Sequence, residues 1–137
     1  MPNILIVDSQ PCVRKLLSEQ LICEGYRVAT AGDAESARAY LRSSRPDLVL
    51  LDLYLDGLDG FGVLRDTKGQ YPDLPVIIAT AHHSFEDDPR VFQADGYVIK
   101  SFDFMELKQK IANALSRKAS HQGKVEAKGY SLQVSVA

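Results

Sequence analysis

Asp8, Asp52, Thr80 and Lys100 offer two carboxylates, a hydroxyl and an ammonium, each at the end of a short apolar run. The runs are Ile4-Leu5-Ile6-Val7, Leu48-Val49-Leu50-Leu51, Val76-Ile77-Ile78-Ala79 and Tyr97-Val98-Ile99. Brought together, these groups make a site for a cation and a phosphoryl group. A carboxylate is a weak nucleophile toward a phosphoryl centre that already carries negative charge. Such chemistry therefore rests on positioning and charge neutralisation.

The chain must supply elements that gather these ends. Strand and helix patterns alternate five times. A helix from about Pro11 to Glu24 carries Val13, Leu16, Leu17 and Leu21 at helical spacing. Pro11 suits its first turn and Gly25 its stop. A short strand around Arg27–Thr30 follows, and Asp33 is placed to cap a helix with Ala34, Ala37 and Leu41 on one face. A third helix is expected from about Gly60 to Lys68. Between the fourth and fifth strands, Pro89 limits any helix to a short piece. Asp103 and Glu106 form a capping-box-like pair that opens a last helix bearing Leu107, Ile111, Ala114 and Leu115. Apolar strands alternating with helices indicate a parallel sheet covered on both faces. Ligands of such sheets bind at the carboxyl ends of the strands, which is where the pattern puts all four residues.

Bulk properties narrow the classes. The 137 residues make one domain's worth, with 45% hydrophobic and 25% charged content, as in ordinary globular domains. Residues 1–116 carry 12 Lys/Arg against 17 Asp/Glu, and residues 117–137 carry 4 against 1. The net charge of -2 does not suggest direct nucleic-acid binding. No apolar run approaches the roughly 18 residues of a membrane span, and no signal peptide is read at the N-terminus. Cys12 and Cys23 fall on one expected helix at a spacing of ~16 Å, beyond disulfide reach. Free thiols and a cytoplasmic setting are the expectation. The domain is placed at residues 1–118. Residues 119–137 are read as a tail or linker, and Tyr130, Leu132, Val134 and Val136 alternate with polar residues as an extra strand would.

The segments ILIVD-S (4–9), DLYLDGLDG (52–60), VIIATA (76–81) and DGYVIKSF (95–102) resemble, in this order and spacing, the receiver domain of two-component response regulators. The resemblance covers roughly residues 3–118. It implies a flavodoxin-like, doubly wound α/β fold of (βα)5 type, a three-layer sandwich around a five-stranded parallel sheet of order 2-1-3-4-5. It also implies that Asp52 accepts a phosphoryl group from a sensor histidine kinase or phosphotransfer protein. Asp8, Asp52 and the backbone carbonyl of Tyr54 would ligate magnesium. Thr80 and Lys100 would meet the phosphoryl group, and Tyr97 would follow Thr80 as the switch aromatic. Tyr54 and His82 occupy positions that modulate phosphoryl lifetime. Such a domain is no enzyme beyond promoting its own phosphorylation and dephosphorylation. Its reader would be a downstream effector protein or an output domain, and a homodimer is compatible with the family.

The chain departs from the family pattern at several points. Ser9 replaces the second acid, so magnesium binding is expected to weaken; the residue also suits the helix N-cap before Pro11. Asp56 stands where proline is common, as a solvent-facing loop residue or a source of the missing charge. Ser101 replaces the proline after the lysine, and a trans bond or local strain is expected there. The stretch from Thr80 to Lys100 is about two residues short for the family. His82 and His83 read as exposed loop residues. The competing reading is a degenerate receiver that binds partners without phosphorylation. A haloacid-dehalogenase-type phosphatase would need an Asp at Tyr54. An EF-hand loop would need acids at Tyr54 and Val63.

Overall fold

The computed structural model describes residues 1–55, 57–81, 85–100 and 104–130, the last twelve of them by backbone alone. Five strands form one parallel sheet: β1 (Asn3–Val7), β2 (Arg27–Ala31), β3 (Leu48–Leu51), β4 (Val76–Thr80) and β5 (Gly96–Ile99). Their order is β2-β1-β3-β4-β5, as the resemblance implied. The helices are α1 (Pro11–Cys23), α2 (Ala34–Ser43), α3 (Gly60–Gln70) and α4 (Met105–Tyr130).

The strands are apolar on both faces because both faces are covered. Ile4, Ile6, Leu48, Leu50, Ile77 and Ala79 point to the α1 and α4 side, where Leu17, Leu21, Leu107 and Ile111 meet them. Leu5, Val7, Val49, Leu51, Val76 and Ile78 point the other way, against Ala37 and Leu41 of α2 and Val63 and Leu64 of α3. This division of helices between the two faces is the doubly wound arrangement.

Helix ends follow local chemistry. Asp33 Oδ1 accepts the Ser36 amide at 2.7 Å, capping α2 as expected and holding the Asp33 carboxyl below its usual range. The Gly25 amide bonds to the Ile22 carbonyl and Tyr26 to Leu21, closing α1. Ser9 does not cap α1. With Pro11 at the first helical position the N-cap is Gln10, whose own side chain makes no capping bond.

Among the described residues, the connection from β4 to β5 holds a single 3-10 turn, Pro89–Val91, where the (βα)5 pattern that the resemblance implied calls for a helix. Asp88 caps that turn, its carboxylate accepting the Arg90 amide. The last helix starts at Met105; Asp103 of the expected capping pair lies outside the described residues. It runs for 26 residues, past residue 118, so Tyr130 ends a helix rather than opening a strand. Leu132, Val134 and Val136 lie outside the described residues, as do Asp56, His82, His83 and Ser101. Among the described residues, no helix is long and apolar enough to cross a membrane.

Candidate functional site

Strand register assembles the rim. Val7 lies opposite Leu51 and Thr80 opposite Ile99, so the residues that follow these strands emerge side by side. The ladder continues one step further: Asp52 donates its amide to the Val7 carbonyl at 2.9 Å, and Lys100 to the Thr80 carbonyl at 2.7 Å. The Asp8 amide bonds to Ala31 at the end of β2. Hence Asp8, Asp52, Thr80 and Lys100, far apart in sequence, are neighbours at the carboxyl edge.

Asp8, Asp52 and Thr80 are buried, at 1%, 7% and 0% exposure. Two buried carboxylates side by side repel each other and are costly to remove from water unless paired. Lys100 pairs both. Its Nζ donates to Asp8 Oδ2 and, at 2.8 Å, to Asp52 Oδ2. The remaining carboxylate oxygens accept backbone amides: Asp8 Oδ1 from Gln10 at 2.9 Å, Asp52 Oδ1 from Tyr54 at 3.1 Å. Both are two-residue turns of the kind Asp favours. Asp8's turn to Gln10 replaces the cap expected of Ser9. Ser9 instead donates its exposed hydroxyl to the Tyr54 carbonyl at 3.4 Å.

Thr80 completes the set from β4. Among the described residues its buried Oγ1 has no hydrogen-bond partner, a state that costs about 1–3 kcal/mol. It is thus poised to take an acceptor oxygen. Tyr97, on β5 beside β4, is half-buried. Burial raises its phenol above the usual tyrosine range, with Glu86 adding to the rise and a hydrogen bond with the Phe85 backbone opposing it.

An aromatic group flanks this rim. The Tyr54 ring, 37% exposed, lies 5.7 Å from that of Phe85, which meets Phe61 edge-on at 5.3 Å. Arg90 stacks over Phe61 at 3.8 Å.

The oxygen set here is two carboxylates, the Tyr54 carbonyl and the Ser9 hydroxyl. These are hard donors of the kind magnesium takes, and magnesium completes its shell with waters and phosphate oxygens. Among the described residues, no group of three or more His, Cys, Asp and Glu converges as a metal cage. The fit is therefore to a cation held by few protein ligands.

Two positioning features had no signal in the periodicity. Gly60, at the start of α3, packs on the backbone that follows β3: an added Cβ would stand 2.5 Å from the Asp52 carbonyl oxygen and from Leu53 Cα. Arg14 donates from α1 to the Asp8 carbonyl. A glycine opening a helix pattern was a hint of the first. Nothing in a single sequence pointed to the second.

Residues 4–112 match the family model described as response regulator receiver domain. The probable transcriptional regulatory protein TcrX of Mycobacterium tuberculosis is 37% identical over 117 residues, which are 84% of this chain and 50% of that protein. Transcriptional regulatory protein AfsQ1 of Streptomyces coelicolor is 36% identical over 119 residues, 85% of this chain and 52% of its own length. The chain thus spans about half the length of these curated relatives. Among solved structures, the response regulator TrrA of Thermotoga maritima, in complex with Mg(2+)-BeF, is 38% identical with a TM-score of 0.81, over 83% of this chain and 99% of that one. TrrA in complex with histidine kinase ThkA aligns at 39% identity and a TM-score of 0.79, over 84% and 99% of the two chains.

Proposed function

The chain belongs to the response regulator receiver domain family, and from that premise we propose that it is a magnesium-dependent switch that takes a phosphoryl group on Asp52 from a histidine kinase. The observation that carries this reading is Lys100 bonded to both buried carboxylates, with the Thr80 hydroxyl beside them, unpartnered among the described residues. In the transfer, a carboxylate oxygen of Asp52 forms the new O–P bond. The P–N bond of the donor phosphohistidine breaks, and its electron pair stays on the imidazole. Lys100 neutralises charge at the acceptor. Asp8, Asp52 and the Tyr54 carbonyl would hold magnesium, with Ser9 a weak ligand or none. Magnesium, when bound, supplies positive charge against the phosphoryl oxygens.

Phosphorylation adds negative charge and acceptor oxygens to the rim. Thr80 then gains the partner it lacks, and Tyr97 moves with it. A local charge change thereby biases two arrangements of the β4–β5 face. Tyr54, over the acceptor loop, sets how readily water reaches the acyl phosphate, and His82 is assigned the same role. The domain promotes only its own phosphorylation and hydrolysis. Its setting is the cytoplasm. Its donor is a histidine kinase, in line with the TrrA–ThkA complex, and its reader is an effector protein or an output domain.

The test is incubation with a small phosphodonor and magnesium, read by intact mass. One phosphoryl adduct is expected, absent in Asp52→Ala. No adduct at high magnesium overturns the reading in favour of a phosphorylation-independent interaction module.

A further inference from the structure

Arg14 is half-buried on α1, and its Nη1 donates to the backbone carbonyl of Asp8 at 2.7 Å. The same guanidinium lies against Gly32, the residue after β2. A Cβ added to Gly32 would stand 2.9 Å from Nη1 and 3.3 Å from Cζ. Asp33, next in the chain, feels the guanidinium's charge. One side chain from α1 therefore ties together the ends of β1 and β2. Every other polar atom of Asp8 is also held. Its amide bonds to Ala31, Oδ1 accepts from Gln10 and Oδ2 from Lys100. Arg14 takes the one that remains.

We propose that Arg14 is a positioning residue for Asp8: it fixes the turn from β1 into α1 so that the Asp8 carboxylate is presented to the cation, and Gly32 leaves the room it needs. The proposal rests on the reading of Asp8 as a magnesium ligand. Ser9 makes such support matter more in this chain. With a neutral hydroxyl beside Asp8, the acidic charge among the described residues of the rim comes from Asp8 and Asp52 alone. Among the described residues, a displaced Asp8 leaves Asp52 as the one acid of the rim. Residues that orient metal ligands from behind commonly change metal affinity by about 10–100-fold.

The experiment is a magnesium titration of the unphosphorylated full chain, followed by the backbone amide resonances of Asp8 and Gln10. Wild type is compared with Arg14→Met, Arg14→Lys, Gly32→Ala and the Arg14→Met/Gly32→Ala double variant. Urea unfolding without magnesium is measured alongside. Arg14→Met is expected to raise the half-saturating magnesium concentration by about tenfold or more. Gly32→Ala raises it as well, by pushing the guanidinium off the Asp8 carbonyl. Arg14→Lys restores part of the loss, and the double variant is no worse than Arg14→Met alone.

A purely structural strut would lower stability and leave the midpoint where it was; that result overturns the proposal. So do independent, additive effects of the two positions, or a wild type whose resonances ignore magnesium. Wild-type phosphorylation by a small phosphodonor is scored separately by mass. An adduct together with an unchanged Arg14→Met midpoint removes this inference and leaves the phosphoacceptor reading in place. A missing adduct removes that reading, while the titration still decides on Arg14.

Discussion

Lys100 and Ser9 set the charge of the rim between them. One ammonium faces two buried carboxylates, leaving a single net negative charge among these three groups. Ser9 contributes a neutral hydroxyl, 3.4 Å from the Tyr54 carbonyl oxygen. A unit charge about 4 Å from a cation is worth roughly 1–4 kcal/mol between bulk water and a protein surface. Restoring an acid should therefore be felt strongly. Ser9→Asp is expected to tighten magnesium binding by about tenfold, measured as the magnesium dependence of phosphorylation by a small donor. An unchanged midpoint would refute the idea that Ser9 weakens the site. The variant also loses the hydroxyl's bond to Tyr54, a 3.4 Å contact at the exposed surface, which is a minor loss beside the added charge.

At the scale of elements, the strand ends hold the chemistry and the helices hold the strand ends. α3 is the clearest case. Its first residue, Gly60, donates its amide to the Leu53 carbonyl at 3.1 Å and lies against the backbone of Asp52 and Leu53. A methyl group there has no room, because its nearest neighbours are backbone atoms that cannot turn aside. Gly60→Ala is expected to cost about 1–3 kcal/mol by overpacking and to slow phosphorylation by shifting the Asp52 backbone. Urea unfolding and the intact-mass time course check both effects; wild-type values for both would contradict the packing argument. The described part of the β4–β5 connection forms one 3-10 turn with Pro89 at its start, rather than a helix. Phe85, Phe61 and Arg90 pack across the connection instead.

At the scale of the whole molecule, the described residues form two cores separated by one sheet. Leu21 belongs to the core under α1 and α4, and Leu64 to the core under α2 and α3, both fully buried. Each truncation to alanine is expected to cost about 2–5 kcal/mol. Because the two residues belong to separate clusters on opposite faces of the sheet, the double variant should lose their sum to within about 0.5 kcal/mol. A double variant much more stable than that sum, in urea unfolding, would mean that the layers are coupled through the sheet. Sequence by itself determined a good deal of this molecule. The apolar runs are strands, and Asp8, Asp52, Thr80 and Lys100 stand at strand ends, because these properties are local to a few residues. Leu17 and Leu21 of α1, Ala34, Ala37 and Leu41 of α2 and Leu107, Ile111 and Ala114 of α4 are buried as their spacing marked, whereas Leu16, on the same expected face of α1, is left exposed at the edge of the packed stripe. The tertiary structure decided what lies between those ends. Lys100 reaches Asp8 across 92 positions of chain and Asp52 across 48. Ser9 reaches Tyr54, Arg14 fills the space beside Gly32, and Gly60 meets the backbone of Asp52. Such contacts follow from sheet register and helix packing, in which residues meet by their place in space, and local periodicity carries no record of them.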